Sequence, residues 1–186
     1  MTTIDKHEVI YQGWGRFLLL NVSEPDGRTY SRQVEDHGDA VCVLPYDPVG
    51  EMVTLVRQWR APAAFASASG LVLEAPAGRL ESNMTPEECA RREAVEEVGL
   101  HLGHLEKIGA VWAGPGFTTE RLHMFLAAYS PSDRRSRGGG IIAENEQVEV
   151  VEMRIARATE MVASGGIDDL KTIVLIQALE MQRRRA

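Results

Sequence analysis

Glu93, Glu96 and Glu97 stand close together in the run Arg92-Glu93-Ala94-Val95-Glu96-Glu97-Val98-Gly99-Leu100. On a helix Glu93 and Glu97 are one turn apart and Glu96 is three residues from Glu93, so the carboxylates share a face. Like charges at that spacing repel. The other charges of the segment form favourable pairs, with Glu87 four before Arg91, Glu88 four before Arg92 and Arg92 four before Glu96. Glu93 instead has Cys89 behind it and Glu97 ahead, and Glu97 has His101 beyond, so neither meets a fixed cation at helical spacing. A divalent cation would complete such a face, because hard ions such as Mg²⁺ take carboxylate oxygens. A solvated acidic helix face satisfies the same spacing, so spacing leaves both readings open.

The helix itself is well marked. Thr85 is the expected N-cap, Pro86 fits the first helical position, and Glu88 three residues after the cap completes a capping box. Gly99 ends the run as a C-terminal cap. Before it, the N-terminal region reads as β structure. Phe17-Leu18-Leu19-Leu20-Asn21-Val22 and Thr29-Tyr30-Ser31-Arg32-Gln33-Val34 flank the turn Glu24-Pro25-Asp26-Gly27. A second hairpin runs from Ala40-Val41-Cys42-Val43-Leu44 through Asp47-Pro48-Val49-Gly50 to Met52-Val53-Thr54-Leu55-Val56-Arg57. Residues 61–70 are small and read as a loop, and Leu71-Val72-Leu73-Glu74 as a short strand. Further strands are expected over 107–112, 121–129 and 147–153, with a polar, glycine-rich mobile loop over 130–140. Two helices close the chain, over 156–164 and 168–184, the second carrying Ile173, Ile176 and Leu179 at helical spacing and arginines where the macrodipole favours them.

Composition narrows the function. The 186 residues carry a formal net charge of −7, which disfavours a nucleic-acid polymer as partner, since that requires Lys and Arg to neutralise phosphates. No stretch approaches the roughly 18 apolar residues of a spanning helix, and the N-terminus lacks the basic and apolar regions of a signal peptide. Cys42 and Cys89 lie in apolar-patterned segments and read as reduced, buried thiols, which points to a cytoplasmic setting. His101 and His104 read as surface residues.

The glutamate run belongs to a longer pattern that resembles the Nudix box: Gly, five residues, Glu, seven residues, Arg-Glu, an apolar residue, any residue, Glu-Glu, any residue, Gly, apolar. Gly78, Arg92, Glu93, Ala94, Glu96, Glu97, Gly99 and Leu100 fall in register, and Met84 replaces the first glutamate. Val56-Arg57-Gln58-Trp59-Arg60, Glu74-Ala75-Pro76-Ala77-Gly78, Gly114-Pro115-Gly116-Phe117-Thr118-Thr119-Glu120 and Glu144-Asn145-Glu146 extend the likeness to the branch acting on nucleoside-diphosphate sugars, which includes ADP-ribose pyrophosphatases and GDP-mannose hydrolases. Cys89, the Gly138-Gly139-Gly140 run and Asp169-Leu170-Lys171-Thr172 lean towards the GDP-mannose side.

The resemblance implies an α/β fold, an α/β/α sandwich around a mixed β-sheet at residues 40–186, preceded by a small β region at 1–39 through which relatives pair as homodimers. It implies Mg²⁺-dependent hydrolysis of a nucleotide-sugar pyrophosphate bond, with Mn²⁺ as the alternative ion and a nucleoside monophosphate and a sugar phosphate as products. Carried over by position, Glu93, Glu97, Glu146 and the Ala77 carbonyl would hold metal, and Glu97, Glu146 and Glu96 would serve catalysis. Arg60, Glu120 and Lys171 would contact substrate. Arg134, Arg135 and Arg137 read as a solvated loop, and Trp59, Trp112 and Phe117 more readily as core than as base-stacking rings. Methionine at 84 can pack but cannot bind a hard cation. A non-catalytic module that senses a nucleotide sugar is the competing reading.

Overall fold

The computed structural model describes residues 1–67, 69–141 and 147–185. The chain divides into two units, one from Met1–Ala40 with Ala110–Leu122 and the other from Val41–Gly109 with His123–Ala186. In the first, β1 (Thr3–Gln12), β2 (Arg16–Ser23) and β3 (Thr29–Asp36) form an antiparallel sheet in the order β1-β2-β3. The expected hairpin joins β2 to β3, with Gly27 at φ 86 supplying the left-handed turn residue. Every residue of β1 is exposed. The segment after β8 (Glu106–Trp112) bonds back to β3, the Glu35 N–H donating to the Phe117 carbonyl at 2.8 Å and the Thr119 N–H to the Glu35 carbonyl at 3.0 Å.

A second sheet has seven strands. Its path runs β10 (Val148–Arg154), β5 (Met52–Trp59), β4 (Ala40–Asp47), β9 (Arg121–Ala128) and β8. β4 and β5 pair only at their hairpin end, where Tyr46 faces Val53. Beyond that they part, and β6 (Leu71–Glu74) pairs with β5 while β7 (Ala77–Arg79) pairs with β4. The short connection between β6 and β7 therefore lies where the sheet divides.

Strands β4, β5 and β9 are buried on both faces, so they read as continuous apolar runs rather than alternating ones. Val41, Val43, Val56, Phe125 and Ala127 pack with Cys89, Ala90, Ala94 and Val98 of α2 (Pro86–Val98). Cys42, Leu44, Val53, Leu55, Met124 and Leu126 alternate with them. Further buried side chains come from α3 (Ile155–Ser164), which packs on β5 and β10 and buries Ile155 and Ala158, and from α4 (Leu170–Arg183), which packs on α3 and buries Leu175, Ile176 and Leu179. Helix, sheet and helix thus make the expected α/β/α arrangement.

Two segments differ from expectation. Residues 61–70 contain a short helix, α1 (Ala61–Ala66), which starts where Pro62 fits the first turn. The 130–140 segment is bonded to the C-terminal end of α2. It contains a 3₁₀ turn at Pro131–Asp133, the His101 N–H donates to the Asp133 carbonyl at 3.0 Å, and the Arg135 N–H to the Gly99 carbonyl at 2.9 Å. Arg134, expected in solvent, donates to the Val98 carbonyl at 2.6 Å and pairs with Glu152. An α-helix leaves its last carbonyls without partners, and this segment supplies the donors.

Candidate active site

The capping box of α2 is present in full, with the Thr85 hydroxyl accepting from the Glu88 N–H at 3.2 Å and the Glu88 carboxylate accepting from the Thr85 N–H at 2.8 Å. This fixes the start of the helix and so the direction of each later side chain. Glu93 and Glu97 turn inward, at 5% and 2% exposure, while Glu96 is half-buried. Strand β7 runs along this face. The Ala77 N–H donates to Glu97 Oε2 at 3.1 Å, and the Cys89 thiol to the Arg79 carbonyl at 3.3 Å. Between them lies Gly78, where a Cβ would come within 2.2 Å of the Glu93 carboxylate. A larger residue at this position would make the Glu93 carboxylate move.

Glu93 was expected to lack a local cation, but Arg92 Nη2 donates to its Oε1 at 2.6 Å. The i,i+4 rule compares short arms on a helix surface, whereas a long guanidinium can fold over its immediate neighbour. Arg92 also bonds Glu81 and lies 3.7 Å from Glu96, turning to these rather than to Glu88. Its pKa is raised, since the bonds to Glu93 and Glu81 outweigh the opposing effect of burial.

A second charged group lies in the same unit. Glu74, at the end of β6, is buried and accepts from Arg60 through two bonds, Nε to Oε1 at 2.7 Å and Nη2 to Oε2 at 3.0 Å. Lys171, from the first turn of α4, donates to the same Oε2 and to Asp169 Oδ1 at 3.0 Å. Burial pushes the Glu74 carboxyl up, yet Arg60 and Lys171 together hold it below the usual glutamate range. Burial also works against the Lys171 charge, and Glu74 and Asp169 overcome it. Burial lowers Arg60 while Glu74, and beyond it Glu97 and Asp169, raise it further, so the charge of Glu97 is felt at this group.

The structure therefore brings Ala77, Glu93, Glu96, Glu97, Arg60 and Lys171 into one unit. Glu120 lies in the other, 3.5 Å from His37 Nε2, with Glu35 at 3.5 Å from Nδ1 of the same ring. Glu146 lies outside the described residues. Trp59, Trp112 and Phe117, expected in the core, are 58%, 51% and 62% exposed. Trp112 carries the Arg121 guanidinium over its ring at 4.6 Å, and Phe117 folds over Gly114. Each sits at or beyond the end of a strand, where the sheet no longer covers it. Met84 is half-buried and packs against the α2 core cluster. Glu74 opens the Glu74-Ala75-Pro76-Ala77-Gly78 stretch of the sequence pattern, which assigns it no role. Its signal was a carboxylate ending an otherwise apolar strand, since a buried charge requires partners.

Comparison with known proteins gives a consistent result. A family model described as the NUDIX domain matches residues 36–171. A GDP-mannose pyrophosphatase of Salmonella arizonae is 41% identical over 169 residues, covering 89% of this chain and 87% of that protein. A GDP-mannose pyrophosphatase of Cronobacter sakazakii is 36% identical over 170 residues, covering 90% and 87%. A solved structure of an ADP compounds hydrolase superposes with a TM-score of 0.80 at 14% identity, over 98% of this chain and 94% of that one, a likeness of fold.

Proposed function

The chain belongs to the Nudix family, and from that premise we propose that it hydrolyses the pyrophosphate bond of a nucleoside-diphosphate sugar of the GDP-mannose or ADP-ribose type. The products would be a nucleoside monophosphate and a sugar phosphate. The observation that carries the reading is the buried pair Glu93 and Glu97 on one face of α2, laid against the side-chain-free backbone at Gly78. The relatives named above, curated as GDP-mannose pyrophosphatases, support GDP-mannose as the first substrate to try.

The donor set suits a hard divalent ion, Mg²⁺ or Mn²⁺. Glu93 and Glu97 offer carboxylate oxygens one helical turn apart, and the missing Cβ at Gly78 leaves the Glu93 carboxylate close to backbone. Glu93, Glu97, Glu146 and the Ala77 carbonyl are the proposed holders, and such an ion would neutralise phosphate charge and lower the pKa of bound water. Glu96, Glu97 and Glu146 are the proposed groups for orienting water and taking its proton. Arg60 and Lys171 are the proposed phosphate contacts. Among the described residues, Glu74 engages Nε and Nη2 of Arg60, leaving Nη1 for a ligand, and Lys171 has spent two of its three protons. Glu120 is the proposed further substrate contact from the first unit.

The test is a panel of GDP-mannose, ADP-ribose and other nucleotide sugars with Mg²⁺, scored as phosphate released after phosphatase treatment. At least one should be turned over. Glu97→Gln should lower kcat by more than the roughly 10–100-fold that loss of a metal's outer-shell partner costs. Unchanged turnover in that variant would remove α2 from the mechanism. Tight binding with no turnover would favour the sensing module.

The same reading includes a division at residues 1–39 and 40–186 and the pairing of two copies through the N-terminal region. Its support is β1, a fully exposed edge strand bearing Ile4, Val9, Ile10 and Tyr11. No helix among the described residues is long and apolar enough to cross a membrane. Cys42 and Cys89 are buried and in no disulfide, which suits the proposed cytoplasmic setting.

A further inference from the structure

The connection Glu74-Ala75-Pro76-Ala77 is gripped from three directions. The Ala75 N–H donates to Thr172 Oγ1 at 2.6 Å, a contact between residues 97 apart in the chain. Pro76, which has no N–H, accepts at its carbonyl from the Val43 N–H of β4 at 3.0 Å. The Ala77 N–H donates to Glu97 Oε2 at 3.1 Å. Helix α4, strand β4 and helix α2 thus hold successive residues of one short connection.

The grip from α4 has a built character. Thr172 is fully buried, and its hydroxyl donates to Asp169 Oδ2 at 2.6 Å while accepting from Ala75. Asp169 is the N-cap of α4 and also accepts from the Thr172 N–H at 3.0 Å. With its proton committed to a charged acceptor, the hydroxyl oxygen is turned towards Ala75 as an acceptor. One residue earlier, Lys171 holds the Glu74 carboxylate. Both residues preceding Pro76 are therefore bound to the same helical turn.

We propose that the first turn of α4 is the positioning element for Glu97, with Thr172 holding the backbone that presents the Ala77 N–H to the Glu97 carboxylate. The inference rests on the reading that Glu97 holds a metal ion. It gives Thr172 a role distinct from substrate contact. Thr172 acts through the Ala75–Ala77 backbone, as the outer partners of metal ligands act through orientation.

Thr172→Val keeps the shape of the side chain and removes the hydroxyl, and Thr172→Ser keeps the hydroxyl and removes the methyl. Mn²⁺ binding to the substrate-free protein, by titration calorimetry, is read beside Tm and the steady-state constants. Thr172→Val should weaken Mn²⁺ binding by about tenfold, the low end of the range for outer-shell partners. It should lower kcat more than it raises KM. Thr172→Ser should bind Mn²⁺ within about twofold of the wild type, well inside the tenfold step that 1.4 kcal/mol represents. A lower Tm with unchanged Mn²⁺ affinity in the valine variant would overturn the proposal, leaving Thr172 a purely structural residue. If that variant does not fold, Thr172→Ala is read by the same criteria. Glu97→Gln separates the two claims. If it binds Mn²⁺ like the wild type, the metal reading fails and this inference with it. If it loses binding while Thr172→Val does not, only this inference fails.

Discussion

Met84 stands where the family pattern has an acid, and its half-buried side chain packs against the cluster formed by Cys89, Ala90, Ala94 and Val98 with the sheet. It is a packing residue, and the carboxylates that crowd Gly78 and Ala77 come from later in α2. Met84→Glu should therefore alter the half-saturating Mg²⁺ concentration by less than about tenfold, or 1.4 kcal/mol. It should also cost about 1 kcal/mol of stability, measured by denaturant titration, because a charge replaces partly buried apolar surface. A rise from no turnover to full turnover would show that the missing acid is indispensable. Residue types announced the glutamate face but not its partners. Arg92 reaches Glu93 across a spacing that helical pairing rules discount, and the burial of Glu93 gives that contact its weight.

At the level of elements, the C-terminal end of α2 meets the Gly138–Gly140 segment. The Gly139 N–H donates to the Glu97 carbonyl at 2.9 Å and the Gly140 N–H to the Glu96 carbonyl at 3.1 Å, so the turn that presents these acids is tied down by backbone bonds. Gly138 has φ 65, and a Cβ there would lie 2.3 Å from the Glu97 carbonyl oxygen. Gly165 has φ 75 with open space around the position a Cβ would take. The left-handed conformation costs a non-glycine residue about 1–2 kcal/mol at either site. Gly138→Ala should lower Tm by more than the roughly 2–8 °C that 1–2 kcal/mol of backbone strain costs a domain this size, and should depress kcat. Gly165→Ala should show the Tm loss alone. Equal effects on kcat would detach the glycine turn from the site. The sequence marks these glycines as loop formers. That they clasp α2 depends on the chain returning to the helix through the 3₁₀ turn and Arg134, which local pattern does not encode.

For the whole molecule, the proposed pairing of two copies falls on β1. An edge strand with exposed Ile4, Val9, Ile10 and Tyr11 presents open backbone groups and apolar side chains together. Light scattering should give twice the mass of the 20.5 kDa chain, and Ile10→Lys should shift the protein towards the monomer, since a charge on an edge opposes strand addition. A monomeric wild type would remove this part of the reading. The net charge of −7 takes on a more specific sense at this scale. Part of the acidic excess is concentrated in Glu93, Glu96 and Glu97 on α2, and a charge balance that argues against a nucleic-acid polymer is compatible with a small phosphorylated substrate held through a metal ion.

The sequence determined what is local. The capping box at Thr85 and Glu88, the left-handed cap at Gly99, the turn at Gly27 and the 3.6-residue period of α2 depend on groups within a few residues of one another, and each is found where those residues place it. The family followed from the same stretch, because its chemistry is written at fixed spacing on one helix. Tertiary structure decided the partners across distance. Lys171 and Thr172 meet Glu74 and Ala75 across 97 residues, Gly138 meets Glu97, and Trp59, Trp112 and Phe117 lie exposed instead of entering the core. The parting of β4 and β5 leaves the backbone of the Glu74–Ala77 connection to find partners on α4, β4 and α2, whereas the three rings lie uncovered because each sits at or beyond the end of a strand.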